Sequence, residues 1–183
     1  MTHYELCRIT AGKFCKKAWM ALYEYQSFAC GEFPDVLVYG ANGTVLYEIK
    51  MNRSDFLADF KKEARTKWKP KGYVRYQSDW ETEKCLVSWI NENPELYYIQ
   101  KPHLGNKRYY VCESGLIDAK EVPEGWGLYW YDGSRFYNKR ESKKWRADVH
   151  SERNLAVHAM RRFISGNMLG IMVQNYEGEV INA

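Results

Sequence analysis

No stretch of this sequence stays apolar for the length of a bilayer span, because charges or turns break every run early. The opening MTHYELCRIT carries no apolar core of a secretory signal, so a cytoplasmic setting and no membrane partner are expected. The five cysteines are an odd number, and Cys7, Cys15 and Cys30 show no C-x-x-C spacing. Reduced, buried thiols are therefore expected rather than a disulfide framework or an iron–sulfur cluster. The sequons at Asn42 and Asn52 carry no weight in such a setting. His3, His103, His150 and His158 do not cluster along the chain, and neither a His-Cys nor a Ser-His-Asp set emerges. His158, spaced among apolar helix positions, reads as structural. Internal repeats and low-complexity tracts are missing too.

What is present suits a globular domain. The 183 residues are 45% hydrophobic and 27% charged, enough for one core with an insertion. A single domain over 1–183 is expected, with an insertion around 69–107. Aromatic residues reach 16% and can fill a core or stack on bases. The net charge is only +4, but its cations gather in KKEARTKWKPKGYVR and RFYNKRESKKWR. Basic stretches with interleaved aromatics suit a phosphate backbone.

Local patterns give the element order. TAGKFCKKAWMALYE reads as a first helix capped by Thr10, with Phe14, Ala18, Ala21 and Leu22 on one stripe. Two alternating stretches flank the turn GANG in PDVLVYGANGTVLYEIK. NRSDFLADFKKEARTKW is a helix, capped by Asn52, that buries Phe56, Phe60, Ala64 and Trp68. WETEKCLVSWINEN reads as a helix and ELYYIQ and KRYYVCE as strands. A hairpin is expected at Asp132-Gly133, a late helix over SERNLAVHAMRRFIS, and an extended tail. In GWGLYWY, Trp126, Tyr129 and Tyr131 read as a core strand. The order argues α/β or α+β with one mixed sheet covered by helices.

The hairpin carries the chemistry. Glu48 and Lys50 are two apart on one strand and share a face, while Ile49 points to the other. A two-residue Asn42-Gly43 turn sets Asp35 opposite Lys50, and a four-residue GANG loop sets it opposite Glu48. Either register puts Asp35, Glu48 and Lys50 on one face, leaving Val36, Val38, Val45, Tyr47 and Ile49 for a covering helix. Two carboxylates about 5 Å apart at Cβ repel unless a cation lies between them. A hard divalent ion, Mg²⁺ or Mn²⁺, fits and completes its shell with phosphate oxygens and water. The Ile49 backbone carbonyl can join that shell, and Lys50 can hold the phosphate or an attacking water. Hydrolysing a phosphodiester asks an enzyme for on the order of 20 kcal/mol, beyond any lone lysine.

PD…EIK followed by NRSDFLADFKKEAR resembles the PD-(D/E)xK nuclease superfamily. More closely, it resembles a branch of phage and bacterial proteins in which the E-x-K strand runs into an S-R-x-D-F-L-x-D helix. YYVCESGLI…VPEGWGL and SERNLAVHAMRR are similar to later blocks of that branch. The resemblance touches most of the chain and implies a restriction-endonuclease-like α/β/α core with a mixed central sheet flanked by helices. It implies Asp35 and Glu48 as metal acids and Lys50 as the catalytic lysine. Glu24 matches a further acid of such folds, with Glu32 as competitor. Asp55 and Asp59 read as salt-bridge lacing with Lys62 on one helix face, and the resemblance adds support of the site by Asp55. The offset NRSDF, Glu113 where a proline is typical, and the long stretch from Trp68 to Lys107 depart from the branch.

The sequence thus leads to a Mg²⁺- or Mn²⁺-dependent nuclease acting on DNA. Lys61, Lys62, Arg65, Lys139, Arg140, Lys143 and Lys144 would grip the backbone, and that grip would weaken with salt. The rival expectation is a catalytically inactive protein on the same fold that holds nucleic acid or blocks a host protein. The complete acid, acid and lysine set argues against the rival.

Overall fold

In the computed structural model the described residues are 1–27, 33–59, 104–167, 169–174 and 179–181, with 68–70, 98–100 and 182 described at the backbone. The chain divides into two compact units, Met1–Ala58 with Pro102–Ala183, and Asp59–Lys101. The second interrupts the first. Its described part is an antiparallel pair, β4 (Trp68–Pro70) with β5 (Tyr98–Gln100). The helix expected at WETEKCLVSWINEN lies outside the described residues, as does most of the insertion expected around 69–107.

The larger unit opens with helix α1 (His3–Cys15), started by a capping box in which Thr2 and Glu5 satisfy each other's backbone amides. Its inner stripe is Leu6, Cys7, Thr10, Ala11 and Cys15. This corrects the expected first helix: Thr10 lies inside it, and the segment after Cys15 becomes strand β1 (Met20–Tyr23). The run MALY has no periodicity of its own. Pairing on both edges, with the later strands Val36–Gly40 and Ile171–Gln174, satisfies its backbone and decides the matter.

The strands are β2 (Val36–Gly40), β3 (Gly43–Lys50), β6 (Lys107–Glu113), β7 (Gly127–Tyr131), β8 (Phe136–Arg140), β9 (Ile171–Gln174) and β10 (Val180–Asn182). With β1 they form one open eight-stranded sheet in the order β10-β9-β1-β2-β3-β6-β7-β8. It is mixed, since β3 with β6 and β6 with β7 run parallel and the other neighbours antiparallel. Gly40 faces Gly43 across an Ala41-Asn42 turn, so the pairing sets Val36 opposite Tyr47. Gly43 holds φ of +104°, a conformation that favours glycine.

Helices cover both faces, making an α/β/α sandwich. Under α1 lie Val36, Val38, Tyr47 and Ile49 with Val45 beside them, the apolar hairpin face read from the sequence. The opposite face buries Leu22, Leu37, Leu46, Tyr110 and Leu128. It does so against Phe56 of α2 (Arg53–Asp59) and Leu155 and Ala159 of α3 (Val149–Ile164). Trp126 stacks on Tyr110, their ring centroids 4.7 Å apart, and Tyr131 is buried, so these aromatics serve the core. His158 is exposed on α3, which corrects its structural reading; its neighbours Leu155 and Ala159 take the buried stripe. Among the described residues no helix is long and apolar enough to cross a membrane.

At the turn end of β3 the buried Glu152 of α3 accepts hydrogen bonds from the Thr44 hydroxyl and the Gly105 amide, each at 2.7 Å. Burial raises its carboxyl above the usual range, partly offset by those two donors. This node clamps one end of the hairpin, and the candidate site lies at the other.

Candidate functional site

The strand register gathers the acids. Tyr23, Val36 and Tyr47 face one another across β1, β2 and β3, so the next row outward is Glu24, Asp35 and Glu48. The Glu24 amide donates to the Asp35 carbonyl at 2.9 Å and ties the row together. This is the register of the four-residue GANG reading, with Asp35 and Glu48 opposite.

Glu48 and Lys50 project to the face covered by α2. Both are buried, and the Lys50 ammonium lies 3.5 Å from Glu48 Oε2 and 4.0 Å from Asp55 Oδ1. It also sits over the Tyr110 ring at 5.9 Å. Asp55 is placed by the cap: Asn52 Oδ1 accepts from the Asp55 amide at 2.8 Å, as NRSD predicts.

Asp35 behaves differently. It precedes β2, and its Oδ2 accepts the Ile49 amide at 2.7 Å, turning the carboxylate into the sheet plane. The amide and carbonyl of one strand residue share an edge, so the Ile49 carbonyl also faces the Asp35 side. The same oxygen lies 3.5 Å from His3 Nε2 on α1. Asp35 therefore stands between the two faces, whereas the alternation read from the sequence set it wholly beside Glu48 and Lys50.

Glu24, just after β1, takes a left-handed conformation, φ +49°, at a cost of about 1–2 kcal/mol. Its carboxylate reaches α1, with Oε1 at 2.9 Å from His3 Nδ1 and accepting from the Cys7 thiol at 3.4 Å. Among the described residues, His3, Cys7 and Glu24 are the group whose metal-ligating atoms all lie within 4.8 Å of one another. The hydrogen bond to Asp35 raises the His3 imidazole above its usual value, helped by the charges of Asp35, Glu24 and Asp55 and opposed by burial. Burial pushes the Cys7 thiol up, reinforced by Asp35, Glu24 and Glu48. Four carboxylates, Glu24, Asp35, Glu48 and Asp55, thus surround one ammonium and one imidazole. The site is anionic and suited to a cation.

His3 and Cys7 correct the expectation that no His-Cys set exists. Their i, i+4 spacing was a usable signal, but it needs a helix starting before Thr10. Glu32, Lys61, Lys62 and Arg65 lie outside the described residues. Lys139, Arg140, Lys143 and Lys144 do not join this site. Glu48, Tyr110, Leu128 and Arg140 fall in one row across the sheet, so the end of β8 lies level with Glu48 but three strands away, about 14 Å. On that far edge Lys139 sits over Trp130 and Arg140 donates to the Ala119 and Val122 carbonyls, while Lys143, further along the chain, pairs with Glu124. Lys144 joins Lys17 and Lys107 around a groove of about 510 Å³ beside Asn42 and Asn106.

No family model and no curated protein matches the sequence. Among solved structures, a protein of unknown function from Silicibacter pomeroyi matches with a TM-score of 0.51 and 15% identity. The match covers 90% of this chain and 91% of that one. At that identity the likeness concerns the fold alone.

Proposed function

We propose that this chain is a cytoplasmic, divalent-metal-dependent nuclease of the PD-(D/E)xK type that hydrolyses phosphodiester bonds in DNA. The observation that carries the reading is a buried lysine held between carboxylates at the end of a strand, with Asp35, just before the adjoining strand, bound to the intervening Ile49 amide. Burying an ammonium and a carboxylate costs several kcal/mol per ion, and hydrophobic residues of similar volume would fill the space more cheaply.

Asp35, Glu48 and the Ile49 carbonyl offer the hard oxygen donors that Mg²⁺ or Mn²⁺ takes. Such an ion, when bound, polarises a phosphoryl oxygen and acidifies a water. The chain's own groups do the rest. The Ile49 amide fixes the Asp35 carboxylate. Asp55 and Glu48 hold the Lys50 ammonium, which would meet the scissile phosphate or orient the attacking water and offset developing negative charge.

The test is conversion of supercoiled plasmid by the full chain with Mg²⁺ or Mn²⁺, with and without chelator. Metal-dependent nicking that Asp35→Asn abolishes supports the proposal. Tight DNA binding by an inert parent supports the inactive binding protein instead.

A further inference from the structure

We propose that His3, Cys7 and Glu24 form a separate site for a zinc-class divalent ion, distinct from the oxygen-donor set of Asp35 and Glu48. It does not rest on the nuclease reading: Glu24 is also the further acid that the resemblance implies, but His3 and Cys7 have no part in that set, and their spacing stands whether or not DNA is cut.

The donor spacing carries the inference. Tetrahedral zinc, with metal–sulfur bonds near 2.3 Å and metal–nitrogen or metal–oxygen bonds near 2.0 Å, places its nitrogen and oxygen about 3.3 Å apart and its sulfur about 3.5 Å from either. Here Nδ1 of His3 and Oε1 of Glu24 are 2.9 Å apart, Sγ of Cys7 and Oε1 of Glu24 3.4 Å, and Sγ and Nδ1 3.6 Å. Three donors from two elements already outline one face of a coordination tetrahedron.

The surroundings fit as well. A ligating histidine donates its other ring N–H to a carboxylate, which fixes the tautomer and the ring. His3 Nε2 lies 3.5 Å from Asp35 Oδ2, itself anchored by the Ile49 amide. The left-handed backbone at Glu24 is what brings its carboxylate to α1. His3 and Glu24 are each about one-third exposed, so the fourth position opens to solvent, as in zinc sites that act on water. Binding releases the Cys7 thiol proton to solvent and leaves His3 neutral, with its proton on Nε2. Thiolate and imidazole together select a borderline ion over Mg²⁺.

Co²⁺ is the probe, titrated into the reduced, metal-stripped full chain. One Co²⁺ per chain, with a near-ultraviolet thiolate charge-transfer band and strong visible bands, displaced by Zn²⁺ but not by Mg²⁺, is the expected result. Cys7→Ser removes the charge-transfer band, and Glu24→Gln, at a part-exposed position that folding tolerates, weakens Co²⁺ about tenfold or more. Glu48→Gln keeps the band. A parent without the band at saturating Co²⁺, or a band that survives Cys7→Ser, overturns the site. Mg²⁺-dependent plasmid nicking, measured in parallel, reports on the nuclease reading separately.

Discussion

The ammonium of Lys50 lies 3.5 Å from a carboxylate oxygen of Glu48, two positions back on the same strand, and both side chains are more than nine-tenths buried. Alternation makes the contact possible once β3 forms, because residues two apart share a face. Burial gives it consequences. Breaking a buried pair from one side leaves a charge without its partner, which costs about 3–5 kcal/mol. Lys50→Met is therefore expected to lower the unfolding midpoint in urea sharply. Lys50→Met combined with Glu48→Gln is expected to recover much of that loss, giving a coupling energy in a double-mutant cycle.

His3 gives a pH signature in metal-free protein. Its folded pKa is raised, chiefly by the hydrogen bond to Asp35. The protonated imidazole thus contributes stability that is complete below its ordinary value of 6.5 and is lost as pH rises through the raised value. His3→Ala is expected to destabilise the chain at about pH 6 and to have little effect at about pH 9. Urea unfolding in chelator at the two values checks this, and a pH-independent effect contradicts it.

Glu152 has the same sign for a different reason. Burial raises its carboxyl, so its contribution is complete below the unfolded value and is lost as pH rises through the folded one. Glu152→Gln keeps an acceptor for Thr44 and Gly105 without the charge. Its stability relative to the parent is expected to improve between about pH 4 and about pH 7. Glu152→Ala strands the Gly105 amide and is expected to cost about 1–3 kcal/mol, while the Thr44 hydroxyl keeps Asn106 Oδ1 as an acceptor.

The cap of α2 links stability to the site. Asn52→Ala removes the acceptor for the Asp55 amide and is expected to cost about 1 kcal/mol. Asp55 then holds Lys50 less firmly, so cleavage should fall in the same variant. Asn52→Asp, which keeps the acceptor, is expected to restore both.

Where local pattern and tertiary context agree, the sequence was readable. The Val36, Val38, Tyr47 and Ile49 face, the Asn52 cap and the Asp132-Gly133 hairpin follow from period-two alternation and from side chains that hydrogen-bond their own backbone. Met20–Tyr23 was misread as helix because a four-residue apolar run takes its identity from the strands on either side. That error hid the start of α1 at Thr2, and with it the meeting of His3 and Cys7 with Glu24. The turn of Asp35 onto the Ile49 amide was illegible for a further reason: it is a rotamer choice made by α1 and β3 together. Charge composition likewise marked Lys139 to Lys144 as basic, but only the strand pairing shows that Lys139 and Arg140 lie three strands away from Glu48.

The central claim is that Asp35, Glu48 and Lys50 act together on a phosphodiester. Single-turnover cleavage of a labelled DNA duplex in Mn²⁺, with DNA binding followed in parallel, tests it most directly. The account predicts cleavage by the parent and a loss of about 100-fold or more in both Asp35→Asn and Lys50→Ala, with binding retained. Equal cleavage by all three proteins, or a parent that binds the duplex and leaves it intact, would contradict it.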